Sequence, residues 1–141
     1  MREILFKAKW KDNGEWVEGY YQKRYCLSDN EESLIFHVDS YKVWEYAEVD
    51  PKTLCQFTGL CDKNGKKIWE NDILKTRDDQ YAQVKFGFYG TAFARGDCNQ
   101  GFYAAFPEDS YYRHELGFWC KRTYVRGNIF DNKELLQEEH K

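Results

Sequence analysis

The sequence predicts an all-β protein: short antiparallel strands in a small SH3-like barrel or sandwich, with an N-terminal β-hairpin layer and a short C-terminal helix. Three observations carry that expectation. Short apolar runs recur at roughly 8–12-residue intervals with turn signals between them. Ile4, Phe6, Ala8 and Trp10 alternate with Lys7, Lys9 and Lys11 at the period of a half-buried strand. The apolar content is also unusual, because Leu, Ile, Val and Phe make up only 30 of 141 residues, whereas 10 Phe, 11 Tyr and 5 Trp supply the rings a core can use. That aliphatic share, about 21%, sits just above the roughly 20% below which charged chains stay disordered, so the rings must carry the fold.

Each element follows from its residues. Ile4 to Lys11 reads as a strand. Asp12-Asn13-Gly14 turns it, since Asn-Gly favours the positive φ of a tight hairpin, and Trp16 to Tyr21 returns. Ser28 to Ser33 reads as a polar loop and Leu34 to Val38 as a strand, while Tyr41 to Val49 fits no single pattern. Asp50-Pro51 breaks what precedes it, because proline restricts its neighbour and has no N–H to donate. It marks a subdivision of the single 1–141 domain into an N-terminal β-layer, 1–50, and a small barrel plus helix, 51–141. Thr53 to Cys61, the turn Asp62-Lys63-Asn64-Gly65 and Lys66 to Trp69 form a second hairpin. Ile73 to Thr76, Tyr81 to Phe86, Thr91 to Ala94 and Phe102 to Phe106 follow as strands, with Gly96 to Gly101 as a separator and a last strand in Lys121 to Ile129. Only the end reads as helix: Asp131 and Glu134 have capping-box spacing ahead of Leu135 and Leu136, which must dock because so short a helix is unstable alone.

Composition excludes several classes. No apolar stretch approaches the roughly 18 residues of a membrane span, and Met1 to Lys7 lacks the basic flank and apolar run of a signal peptide. A soluble cytoplasmic protein, with no membrane partner, is expected. The net charge of −3 gives nucleic acid no overall electrostatic attraction, so only a local patch could bind phosphate. Cys26, Cys55, Cys61, Cys98 and Cys120 contain no CxxC pair, and His37, His114 and His140 are scattered. That spacing argues against zinc and for reduced thiols, mostly buried. No metal and no cofactor are expected.

The longest signal runs from Gln56 to Leu74: Gln56-Phe57-Thr58-Gly59-Leu60-Cys61-Asp62-Lys63-Asn64-Gly65-Lys66-Lys67-Ile68-Trp69-Glu70-Asn71-Asp72-Ile73-Leu74. It resembles the signature of the YopX family, and the opening Arg2 to Trp10 and the ending Gly127 to Leu136 are similar to that family's start and finish. The resemblance implies an all-β fold, a phage or prophage origin and hence the cytoplasm of a bacterial host, and self-association, and brings no catalytic residues. Asn71 stands where the family usually has glycine, which implies a positive-φ position that asparagine can still occupy.

Physically, this stretch reads as structural. Thr58, Gly59, Asp62, Asn64 and Gly65 supply turn chemistry, Trp69 supplies core, and Glu70 and Asp72 open the next strand, with Asp72 accepting backbone hydrogen bonds. Calcium is excluded by spacing. An EF-hand loop needs oxygen ligands at its odd positions and glycine sixth, whereas counting from Asp62 puts glycine fourth and Lys66 fifth.

No catalytic constellation is visible. Ser110 or Cys120 with His114 and Asp109 are the local nucleophile and base candidates, but nucleophile elbow and phosphate-loop motifs are both absent from the sequence. The expectation is a non-enzymatic interaction protein that self-associates or meets a host or phage protein. The alternative is a nucleic-acid-binding module built from rings and cations of the C-terminal half, with Tyr111, Tyr112, Arg113, Arg122 and Arg126 as its candidate surface. A second alternative is an enzyme of unknown chemistry.

Overall fold

Alternating residues at the amino end do form strands, and they assemble into the first of two compact units, Met1–Phe57 and Thr58–Lys141. The fold was obtained as a computed structural model that describes residues 4–27, 30–90, 98–107 and 113–137. In the first unit, β1 (Phe6–Lys9), β2 (Trp16–Tyr25), β3 (Glu31–Val38), β4 (Trp44–Glu48) and the start of β5 (Cys55–Cys61) lie in the order β4-β3-β2-β1-β5. Neighbours are antiparallel. Gly14 closes the first hairpin with φ +73°, the conformation Asn-Gly favours.

The sheet curls until the end of β1 meets the end of β4. Trp10 bridges Val49, and the Asp50 N–H donates to the Lys9 carbonyl at 2.9 Å. Ala8, Ile35, Ala47 and Val49 fill the inside of the curl, rimmed by Phe6, Trp10, Val17, Tyr21 and Leu54. Small residues sit at the centre and rings around them. Gly19 is required for the closeness of this packing, since a Cβ there would collide with the Phe36 carbonyl oxygen. Asp50 caps a single 3-10 turn, Pro51–Thr53, by accepting the Lys52 N–H at 3.0 Å, and the boundary between units falls inside β5.

The second unit holds the end of β5, β6 (Lys67–Trp69), β7 (Asp72–Thr76), β8 (Tyr81–Gly90), β9 (Cys98–Ala105), α1 (Leu116–Trp119), β10 (Thr123–Asn128) and α2 (Glu134–Gln137). Its antiparallel sheet has the order β10-β7-β8-β9. Ile68, Leu74, Val84, Leu116 and Cys120 form one core cluster, and Ala82, Ala104, Phe106 and Trp119 another. The protein is therefore all-β, as expected, in open antiparallel sheets; the closed barrel is not formed.

Several sequence expectations are corrected. Glu31 to Ser33 belong to β3 and not to a loop, because Glu32 pairs with Arg24 across the strands. Cys98 to Gly101 belong to β9 and not to a separator. The strand expected over Tyr81 to Phe86 does not end at Phe86, since β8 runs on to Gly90, and Phe86 is more than half exposed with its ring edge-on to that of Phe102. Only Cys55 and Cys120 are buried among the five cysteines, while Cys61 and Cys98 are exposed. Thr91 to Ala94 lie outside the described residues. Among the described residues no helix is long and apolar enough to cross a membrane.

Candidate functional site

Three places concentrate side chains with chemistry: the Gln56–Leu74 stretch, the cations near β10, and the outward face of β2, β3 and β4.

The first is a set of backbone clamps. Asp62, 7% exposed, accepts the Asn64 and Lys66 N–H groups on Oδ1, both at 2.9 Å, and the Val125 N–H on Oδ2 at 2.8 Å. The Lys63 N–H donates to the Thr123 carbonyl at 3.1 Å, so the turn is sewn to β10 on both sides. Gly65 completes the turn at φ +82°. Thr58 donates its hydroxyl to the Ile68 carbonyl at 2.7 Å and accepts the Leu60 N–H at 3.2 Å, tying β5 to β6 around Gly59.

Asp72, 2% exposed, accepts the Trp69 N–H on Oδ2 at 2.8 Å across the Glu70-Asn71 turn, and Trp69 itself is buried. Asn71 has φ +70°, the left-handed conformation expected of it. Its N–H donates to the Val84 carbonyl at 2.8 Å, its carbonyl accepts the Ile129 N–H at 3.1 Å, and its Oδ1 accepts from Gln83 Nε2 at 3.2 Å. The two buried carboxylates and the asparagine thus satisfy turn backbone that would otherwise be stranded.

Of the expected basic surface the described residues are Arg113, Arg122 and Arg126. Tyr111, Tyr112, Asp109 and Ser110 lie outside the described residues. Arg113 is ion-paired with Glu115, and its guanidinium lies over Phe118 at 4.1 Å. Arg122 lies over the same ring at 4.0 Å and donates to the Phe118 carbonyl. Arg126 is exposed at a register shift between Val125 and Gly127. Cys120 is buried and donates its thiol to the Gly117 carbonyl at 3.4 Å, and the His114 carbonyl accepts the Ala104 N–H at 2.8 Å. Among the described residues no group of three or more His, Cys, Asp or Glu is placed to hold a metal ion.

The third place was not singled out in the sequence. Tyr20 on β2 faces Phe36 on β3, and Phe36 faces Tyr46 on β4; Val38 faces Trp44 two pairs along. Directly paired residues share a sheet face. Ile35 and Ala47, on the opposite parity, are core, so these rings point away from it. Tyr20 is 53%, Trp44 60% and Tyr46 55% exposed. Tyr20 and Trp44 rings lie 6.0 Å apart, Phe36 and Tyr46 5.7 Å, and the Arg24 guanidinium caps Tyr46 at 5.4 Å. The signal that could have found them is Trp44-Glu45-Tyr46-Ala47-Glu48-Val49: its inward parity is filled by Ala47 and Val49, which leaves the larger rings outside.

These features define a two-unit all-β protein with clamped turns and an aromatic sheet face. The model of the YopX family, described as YopX protein, matches residues 5–137, and the chain belongs to that family. It is similar to the crystal structure of protein EF1440 from Enterococcus faecalis, with 22% identity over 96% of this chain and 99% of that one and a TM-score of 0.49. No curated protein matches the chain.

Proposed function

We propose that the chain is a non-enzymatic interaction protein that binds a second copy of itself through the outward face of β2, β3 and β4. The observation that carries this reading is the contiguous set Tyr20, Phe36, Val38, Trp44 and Tyr46, facing away from the core yet packed ring on ring. An exposed aromatic patch of this kind marks an interaction surface in soluble proteins, and tyrosine and tryptophan are the residues that dominate interface energetics. A two-fold pairing would bring the same patch of each copy together, as closed homodimers do.

The non-enzymatic part rests on how the acidic groups are used. Asp62 and Asp72 hold backbone N–H groups and are buried, which leaves them no role toward a substrate. Phage or prophage origin and action in the bacterial cytoplasm complete the reading, supported by the family membership. Light scattering on purified protein at about 100 μM tests it, since association depends on concentration. A dimer or larger species is expected, and Trp44→Glu should shift it to monomer without changing the far-ultraviolet circular dichroism. A monomer in the unaltered protein overturns self-association.

A further inference from the structure

The four strands β7, β8, β9 and β10 contain one carboxylate, Asp72, which is buried. Their cations are Lys75, Lys85 and Arg126. The register then decides where the remaining side chains go. Thr123, Leu74, Ala82, Val84 and Ala104 are all buried, and they share one parity in the pairings Thr123 with Thr76, Leu74 with Ala82 and Val84 with Ala104. Side chains alternate across a strand, so the other parity faces the other way; there Ile73, paired with Gln83, is also buried, and the cations and rings lie to either side of it. Tyr124 faces Lys75, Lys75 faces Tyr81, and Lys85 faces Tyr103, with Tyr89 further along β8.

Rings and cations therefore interleave on this face. Lys63 Nζ lies 5.0 Å from the Tyr124 ring centre and Lys75 Nζ 5.9 Å from that of Tyr81, while Tyr89 and Tyr103 rings are 5.4 Å apart. Two acids intrude among the described residues: Asp79 in the following turn, which pairs with Lys75 at 3.1 Å, and Glu115, which bridges Tyr103 and is itself ion-paired with Arg113. Asp79 first, then Tyr124, holds the Lys75 amine above the ordinary lysine range, so it stays charged. From β10 to β8 is two strand spacings, about 10 Å.

We infer that this face, centred on Tyr124, Lys75 and Tyr81, binds single-stranded nucleic acid, with the tyrosines stacking on bases and Lys75, Lys85 and Arg126 meeting phosphates. The rings distinguish it from a general polyanion surface, because a duplex hides its base faces and an acidic peptide has none to stack. Within β7, β8, β9 and β10 three cations stand against the single buried Asp72, which sets these strands apart from the chain's net charge of −3. This surface differs from the one sequence proximity suggested, and it lies in the unit that does not carry the Trp44 patch.

Fluorescence anisotropy with the full chain and a labelled oligothymidylate tests the inference. Three phosphate contacts give a log–log salt slope of about −2, so the apparent Kd should rise about 20-fold between roughly 50 and 200 mM salt. Tyr124→Ala and Tyr81→Ala should each weaken binding about tenfold. Tyr124→Phe should retain it and guards against a folding artefact. Arg126→Gln, at an exposed position, should reduce the slope by about 0.7. No binding at the lower salt, equal affinity for the duplex of the same sequence, or binding indifferent to both alanine variants would each overturn the inference.

Discussion

Asp62 and Val125 are joined by a 2.8 Å hydrogen bond from the Val125 N–H to Asp62 Oδ2, across 63 positions of chain. The same carboxylate closes its own turn with Oδ1. Asp62→Ala strands three N–H groups, and the expected loss is about 3 kcal/mol, since bonds to a charged acceptor contribute about 1.5–3 kcal/mol each and the turn amides can still reach water. Asp62→Asn keeps one acceptor oxygen and should lose about half as much. Urea unfolding followed by circular dichroism measures both; equal stability of Asp62→Ala and the unaltered chain would contradict the clamp.

Asn71 should tolerate glycine and reject branching. The left-handed conformation costs a β-branched residue roughly 1–2 kcal/mol, so Asn71→Val should lose at least that much, plus the bond from Gln83. Asn71→Gly relieves the backbone while losing the same side-chain bond, and should fall within about 0.5 kcal/mol of the unaltered protein. The comparison is again the urea midpoint, and the order of the two variants is the decisive reading.

Gly19 sits where β2 passes against the Phe36 carbonyl. Gly19→Ala forces the two strands apart in a closely packed curl, and the expected destabilisation is about 1–3 kcal/mol. Loss of amide-exchange protection in β2 and β3, with β7 and β8 unaffected, is the outcome that locates the damage in the first unit.

The β3–β4 turn should loosen in acid. The Asp39 carboxyl lies below the ordinary aspartate range, chiefly because the Val43 N–H donates to it at 2.9 Å, with the Tyr41 N–H at 2.8 Å. A depressed carboxylate stabilises above its unfolded-state pKa and loses that contribution as pH falls through the folded value. Protection of the Tyr41 and Val43 amides, taken relative to the intrinsic exchange rate at each pH, should fall across that acidic window and stay flat through neutral pH. In Asp39→Asn that protection should not change with pH across the window.

Legibility in the sequence followed how local the cause was. The Asn13-Gly14 hairpin and the Asp62-to-Gly65 turn were readable because the residues that close them lie within the turn. β3 began earlier than its apolar run because Glu32 is held by Arg24 on another strand, a cause that neighbouring residues do not reveal. α1, Leu116–Trp119, is too short to show a helical period. The clamping of Asp62 onto Val125 was invisible for the same reason of distance, although the turn role of Asp62 was not. The aromatic face inverted the usual rule, since Ala47 and Val49 take the inside and Trp44 and Tyr46 the outside.

The depth at which the tryptophans sit also makes them separable by light. Trp44 is exposed, whereas Trp69 and Trp119 are buried, and Trp10 and Trp16 lie between. A collisional quencher added to the folded chain should extinguish the Trp44 emission first and leave a blue-shifted remainder from Trp69 and Trp119. The part of that remainder that persists once Trp10 and Trp16 are also quenched reports on the second unit, and the fraction quenched first reports on whether anything has settled over the rings of the first.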